Sequence, residues 1–146
     1  MNTSKHRGFT LIELVVVITI LGILAAFAVP RFVALDGQAR AATVNALAGS
    51  AKSAATLARS MYMANGGAAV TMEGATITMS NSYPDGSSGG IAAAVNSSTA
   101  DFTYVGTAAS GVWTKVGATT PASCIVTYTA AASGAAPTVT PTTSGC

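Results

Sequence analysis

The chain has 146 residues, of which half are hydrophobic and only 8% charged, with a formal net charge of +2. That is room for one domain of ordinary size, and much of the apolar count is alanine, which suits a small, plain domain better than a large enzyme core. Beyond residue 8, five basic side chains (Arg31, Arg40, Lys52, Arg59, Lys115) balance five acidic ones (Glu13, Asp36, Glu73, Asp85, Asp101). No basic patch for nucleic acid is left, and so weakly charged a surface tolerates close packing with copies of itself.

Residues 1–8, MNTSKHRG, are short, polar and basic. From Phe9 to Val29 the chain is apolar, long enough to cross about 30 Å of hydrocarbon at about 1.5 Å per residue. Lys5 and Arg7 ahead of it predict a cytoplasmic N-terminus, with the C-terminal part outside. A secretory signal places its small residue after the apolar core, whereas Gly8 lies before it. Processing at Gly8 would therefore keep the apolar segment as a new N-terminus. One carboxylate, Glu13, interrupts the run. Charge there opposes insertion, so a partner elsewhere is expected.

Pro30 ends the run and predicts a kink. Helical spacing then resumes, with Val44, Leu47, Ala51, Ala54, Ala58 and Met61 on one face and Arg40, Lys52 and Arg59 off it. The NGG of residues 65–67 is a stop signal. A helix from Phe9 to Ala64 would be about 84 Å long, more than a small domain buries, so half of it requires lipid or protein.

After residue 67 the period changes. AVTMEGATITM predicts one strand, and NSYPDGSSGG, residues 81–90, a turn and loop. Asp85 there reads as a turn residue, with a calcium ligand as the alternative. IAAAVN predicts one or two helical turns; DFTYVG, GVWTKVG and CIVTYTA predict three further strands. Trp113 is either core or adhesive surface. The tail from Ser133 to Cys146, with Pro137 and Pro141, predicts a loop. Four strands laid as an antiparallel sheet against the helical stripe give an α+β fold.

Two cysteines, Cys124 and Cys146, in an exported chain suggest a disulfide, with two free buried thiols as the alternative. Closing that loop is worth about 3 kcal/mol. A metal site is poorly supplied, because His6 is the sole histidine and lies in the leader. For the same reason there is no Ser-His-Asp set, and no GxxxxGK[ST] phosphate loop occurs. Met61, Met63, Met72 and Met79 read as packing residues. Neither enzyme activity nor a cofactor nor a metal is expected.

The segment GFTLIEL behind a basic leader, with Gly8, Phe9, Glu13, Gly22 and Pro30 at matching positions, resembles the N-terminus shared by type IV pilins (type IVa) and type II secretion pseudopilins. PRFVALDGQARAATVNAL and CIVTYTAAASGAAPTVTPTTSGC are similar to pilins of the mannose-sensitive haemagglutinin (MSHA) type. The resemblance implies cleavage between Gly8 and Phe9 by a prepilin peptidase and N-methylation of Phe9. It implies a contact between Glu13 and the Phe9 amine of a neighbouring subunit, and helix flexibility between Gly22 and Pro30.

The implied organisation is a leader (1–8), a transmembrane and filament-core helix (9–30), an amphipathic helix (31–64) and a β domain (65–146) with a disulfide-bounded loop (124–146). The implied function is a major pilus subunit that self-assembles for attachment, with motility and DNA uptake left open. Its partners would be itself, the inner membrane before assembly, the peptidase, the assembly platform and minor pilins; no receptor is legible. The precursor would sit in the bacterial inner membrane, its C-terminal domain periplasmic, before joining a surface fibre. Three rivals are a type II secretion pseudopilin, a minor or priming pilin, and a membrane-anchored binding protein that does not polymerise. In a filament core, a subunit lacking its partner would hold an unpaired buried charge, so the Glu13–Phe9 pair would select register. The apolar neighbours of Glu13 would supply the bulk attraction.

Overall fold

The computed structural model of the chain describes residues 8–146, and of Pro30, Phe32 and Val33 the backbone only. It divides into two compact units, one ending at Asp36 and one running from Gly37 to Cys146. The element common to both is a helix, α1, Leu11–Ala64, which continues through Gly22 and Pro30 without interruption.

α1 follows Thr10 and ends by a Schellman motif. The Gly67 amide donates to the Tyr62 carbonyl at 2.9 Å and the Gly66 amide to the Met63 carbonyl at 3.2 Å. Gly66 at φ +64° takes the left-handed position that closes such an end.

In the second unit the helical stripe is the floor of the core. Val44, Leu47, Ala51 and Ala58 are buried as their spacing predicts, joined by Ala48 and Ala55, while Ala54 and Met61 are half-buried. Against Val44 to Ala55 pack Tyr83, Ile91, Phe102, Trp113, Val126 and Tyr128. Alanines on the helix bring the sheet close, so the bulky aromatics fill the space from the other side. Trp113 is 0% exposed, and its Nε1 donates to Ser97 Oγ at 3.1 Å. It is core, not adhesive surface.

The sheet has four antiparallel strands in sequence order: β5 (Phe102–Gly106), β6 (Ser110–Lys115), β7 (Ile125–Thr129) and β8 (Thr138–Thr142). Its membership differs from the expectation in two places. The segment 69–79 is not one strand of this sheet. It folds as a separate hairpin, β1 (Val70–Met72) with β2 (Ala75–Ile77). Glu73 at φ +48° and Gly74 at φ +84° make the two-residue turn between them, the left-handed pair that suits strand twist.

The fourth strand comes instead from the tail, where 133–146 was expected to be a loop. β8 lies at the sheet edge, with Pro141 opposite Val126, and an edge position is where a strand accepts proline. The stretch 81–90 also holds more order than a loop. β3 (Met79–Ser80) and β4 (Tyr83–Pro84) pair around Asn81 and Ser82, both at positive φ. A short helix, α2 (Ile91–Val95), follows as expected.

Asp85 is 5% exposed. Its Oδ1 accepts from the Ser87 amide at 3.0 Å and the Ser87 hydroxyl at 2.6 Å, which is the turn role. Among the described residues no cluster of histidine, cysteine and carboxylate side chains could hold a metal. Two phenols tie this loop to the sheet: Tyr104 donates to the Gly86 carbonyl and Tyr128 to the Pro84 carbonyl, each at 2.6 Å.

Candidate assembly site

The N-terminal segment exposes its apolar side chains. From Phe9 to Val29 every side chain except Ala28 is exposed, including Phe9, Leu11, Ile12 and Leu14. Among the described residues, α1 is the one helix whose length and apolar composition suffice to cross a membrane. Such a surface is stable only against lipid or against other apolar helices.

At its tip sits Glu13. The Thr10 amide donates to Glu13 Oε2 at 2.8 Å and the Thr10 hydroxyl to the same oxygen at 2.7 Å. The Glu13 amide in turn donates to Thr10 Oγ1 at 3.3 Å. This is a capping box: Thr10 takes the N-cap position and Glu13 the third helical position, each satisfying a backbone donor of the other. The negative side chain in the first turn also opposes the positive end of the helix dipole. Both local bonds fall on Oε2; among the described residues Oε1 accepts none. The two Thr10 bonds thus hold the Glu13 side chain from within the chain.

Thr10 was missed in the sequence, although the signal was present. TLIE is the pattern Thr-x-x-Glu ahead of an apolar run. The other expected residues fall as follows. Gly8 and Phe9 precede the helix, both exposed, and the space where a Gly8 Cβ would lie is open. Gly22 lies within α1, again with open space at its Cβ position, and Pro30 lies within the same helix. Lys5, His6 and Arg7 of the leader lie outside the described residues. The structure brings Glu13 to Thr10.

Cys124 and Cys146 are joined, with Cα atoms 4.9 Å apart. The segment they bound contains two strands of the sheet, β7 and β8, and is not an irregular loop throughout. Its end is seated firmly. The Gly145 amide donates to the Ser123 carbonyl at 2.9 Å, and the Thr120 amide to the Gly145 carbonyl at 2.8 Å. Arg40 on α1 donates to the Cys146 main-chain oxygen at 3.4 Å.

The family described as the prokaryotic N-terminal methylation motif matches residues 3–29. The chain is 56% identical over 54 residues to the type IV narrow pilus major component PilA5 of Thermus thermophilus, a stretch covering 37% of this chain and 47% of that protein. It is 50% identical over 36 residues to the type IV major pilin protein PilA of Myxococcus xanthus, covering 25% of this chain and 16% of that protein. The chain thus spans about half the length of the first relative (47%) and less of the second. No solved structure matches the chain. The chain thus carries the methylation motif, and part of it is similar to two proteins named as type IV pilus components.

Proposed function

We propose that the chain is the major structural subunit of a type IV pilus, working by self-assembly through its N-terminal helix. The observation that carries this reading is the capped Glu13 at the tip of an exposed apolar helix, inside the methylation motif. Both relatives are named as major pilus components. Removal of residues 1–8 by a prepilin peptidase frees the Phe9 amine, and its methylation leaves a cation. That cation meets Glu13 of a neighbouring subunit at the oxygen Thr10 does not use. In a fibre core from which water and lipid are excluded, an unmatched carboxylate is costly, so the pair favours one register. Flexibility between Gly22 and Pro30 lets the helices adjust to their neighbours.

Before assembly the apolar helix anchors the subunit in the inner membrane, N-terminus cytoplasmic and C-terminal domain periplasmic. An assembly platform and minor pilins then draw it into the surface fibre. The stretches 30–47 and 124–146 favour the MSHA subtype and a role in attachment. Electron microscopy of material sheared from cells, with mass spectrometry of its protein, tests the proposal. Long fibres built of this chain are expected. Short periplasmic assemblies would indicate the pseudopilin reading, and a protein confined to the membrane would indicate an anchored binding protein.

A further inference from the structure

Three of the chain's five methionines converge on one place. Met61, Met72 and Met79 pack, half-buried, around a small second core made of Ala58, Val70 and Ile77. The main core between α1 and the four-stranded sheet contains no methionine. Met63, two positions from Met61, is 61% exposed and belongs to neither core.

The element this second core holds is weak by itself. The β1–β2 hairpin has three residues per strand and hydrogen-bonds to no further strand. A lone two-stranded hairpin is marginal in water, so its packing against the end of α1 and against Ala93 and Ala94 of α2 keeps it in place. Thioethers supply much of that packing. They are flexible, polarisable gap-fillers, and two-electron oxidants convert them from apolar to polar. Half-burial of these side chains leaves them accessible to a small oxidant, while Ala58, Val70 and Ile77 offer a sulfoxide no side-chain donor and Tyr62 brings one hydroxyl for three sulfurs. Burying that dipole without a partner is unfavourable.

We propose that Met61, Met72 and Met79 form an oxidation-responsive site: a peroxide oxidises their sulfurs, and the β1–β2 hairpin comes away from α1 while the four-stranded sheet stays folded. The sulfur lone pair attacks a peroxide oxygen. The O–O bond breaks as the S–O bond forms, so sulfur loses two electrons and hydrogen peroxide is reduced to water. A methionine sulfoxide reductase, drawing two electrons from a dithiol, reverses the step. The inference is independent of the pilus reading.

The test uses the full-length chain in detergent micelles, titrated with hydrogen peroxide. Peptide mass spectrometry follows each methionine, and amide hydrogen exchange follows each segment. Met63 should oxidise without changing exchange. Oxidation of Met61, Met72 and Met79 should then track a loss of protection of about tenfold or more across residues 70–77, with residues 102–142 unaffected. The triple variant Met61→Leu, Met72→Leu, Met79→Leu, similar in volume, should keep its protection in peroxide. Reductase treatment of the oxidised native chain should restore protection, a readout that needs no variant. The proposal is overturned if the three sulfurs stay unoxidised while Met63 reacts, or react with exchange unchanged. An equal loss in the leucine variant, or re-reduced sulfurs without regained protection, overturns it as well.

Discussion

Thr10 and Glu13 close a reciprocal capping box, the threonine amide and hydroxyl both bonding Oε2 of the carboxylate at 2.8 and 2.7 Å. The box couples two tasks, because the residues that start the helix also fix where the carboxylate stands. Thr10→Val removes the hydroxyl and keeps the shape. We expect membrane levels of the subunit to be unchanged and fibre yield to fall severalfold, since Glu13 keeps the bond from the residue-10 amide but loses the hydroxyl bond that helps fix its rotamer, and its own amide loses its cap. Thr10→Ser keeps both bonds and should restore yield. Immunoblots of membrane and sheared fractions from the same cells measure this. Equal fibre yield from all three chains would show the box to be local capping alone.

Much of this architecture was legible in the sequence, and the misses have physical causes. The helical stripe from Val44 to Ala58 and the strands around Trp113 and Tyr128 were readable because burial imposes one period on them. The segment 69–79 misled because Val70 and Met72 alternate on one side of the turn and Ala75, Ile77 and Met79 on the other, and only Gly74 marks the change of parity; Glu73 takes positive φ without announcing it. β8 misled because Pro141 argues against a central strand, and nothing local says that the strand lies at an edge. At the tip of the helix, Glu13 stood out as a lone charge among apolar residues. Thr10 did not, because an ordinary polar residue ahead of an apolar run draws no notice until its bonds are seen.

The disulfide closes a segment with a sequence separation of 22 between Cys124 and Cys146. Cys146→Ser should lower the unfolding free energy by about 2–5 kcal/mol, since the unfolded chain regains the freedom of that loop. Denaturant titration of the oxidised and variant chains measures it. A smaller loss would mean that the Gly145 hydrogen bonds and the β7–β8 ladder hold the tail without the bridge.

Two phenols make the fold sensitive to alkali. Burial, and then the nearby Asp85 charge, push the Tyr104 hydroxyl up to about 12. Tyr128 is raised as well, by burial first and then by Tyr104, Asp85 and Tyr83. Both protons are held more tightly in the folded chain than in the unfolded one. Their contribution is therefore complete below the ordinary value of 10.0 and is lost as pH rises, through about 12 for Tyr104. Melting temperature should fall steeply across that window, in step with tyrosinate absorbance. Tyr104→Phe should be less stable at neutral pH and show a shallower alkaline fall. A flat profile above pH 10 would contradict the assignment.

Processing should depend on Gly8, which lies exposed just ahead of the helix. Gly8→Leu should leave an uncleaved chain in the inner membrane, and the native fibre protein should begin at methylated Phe9. Mass spectrometry of the N-terminal peptide checks both. A surface chain that still begins at Met1 would remove the freed amine from the account.

The account's central claim is that a charge at Glu13 serves assembly and not folding. Its most direct test is the ratio of fibre to membrane-resident subunit for Glu13→Gln and Glu13→Val beside the native chain. Glu13 belongs to the other unit than the one running from Gly37 to Cys146, and insertion should be as good or better without the carboxylate. The predicted result is normal membrane levels of processed, stable subunit with few fibres in both variants. Native fibre yield from Glu13→Val would contradict the claim and return Glu13 to an incidental polar residue.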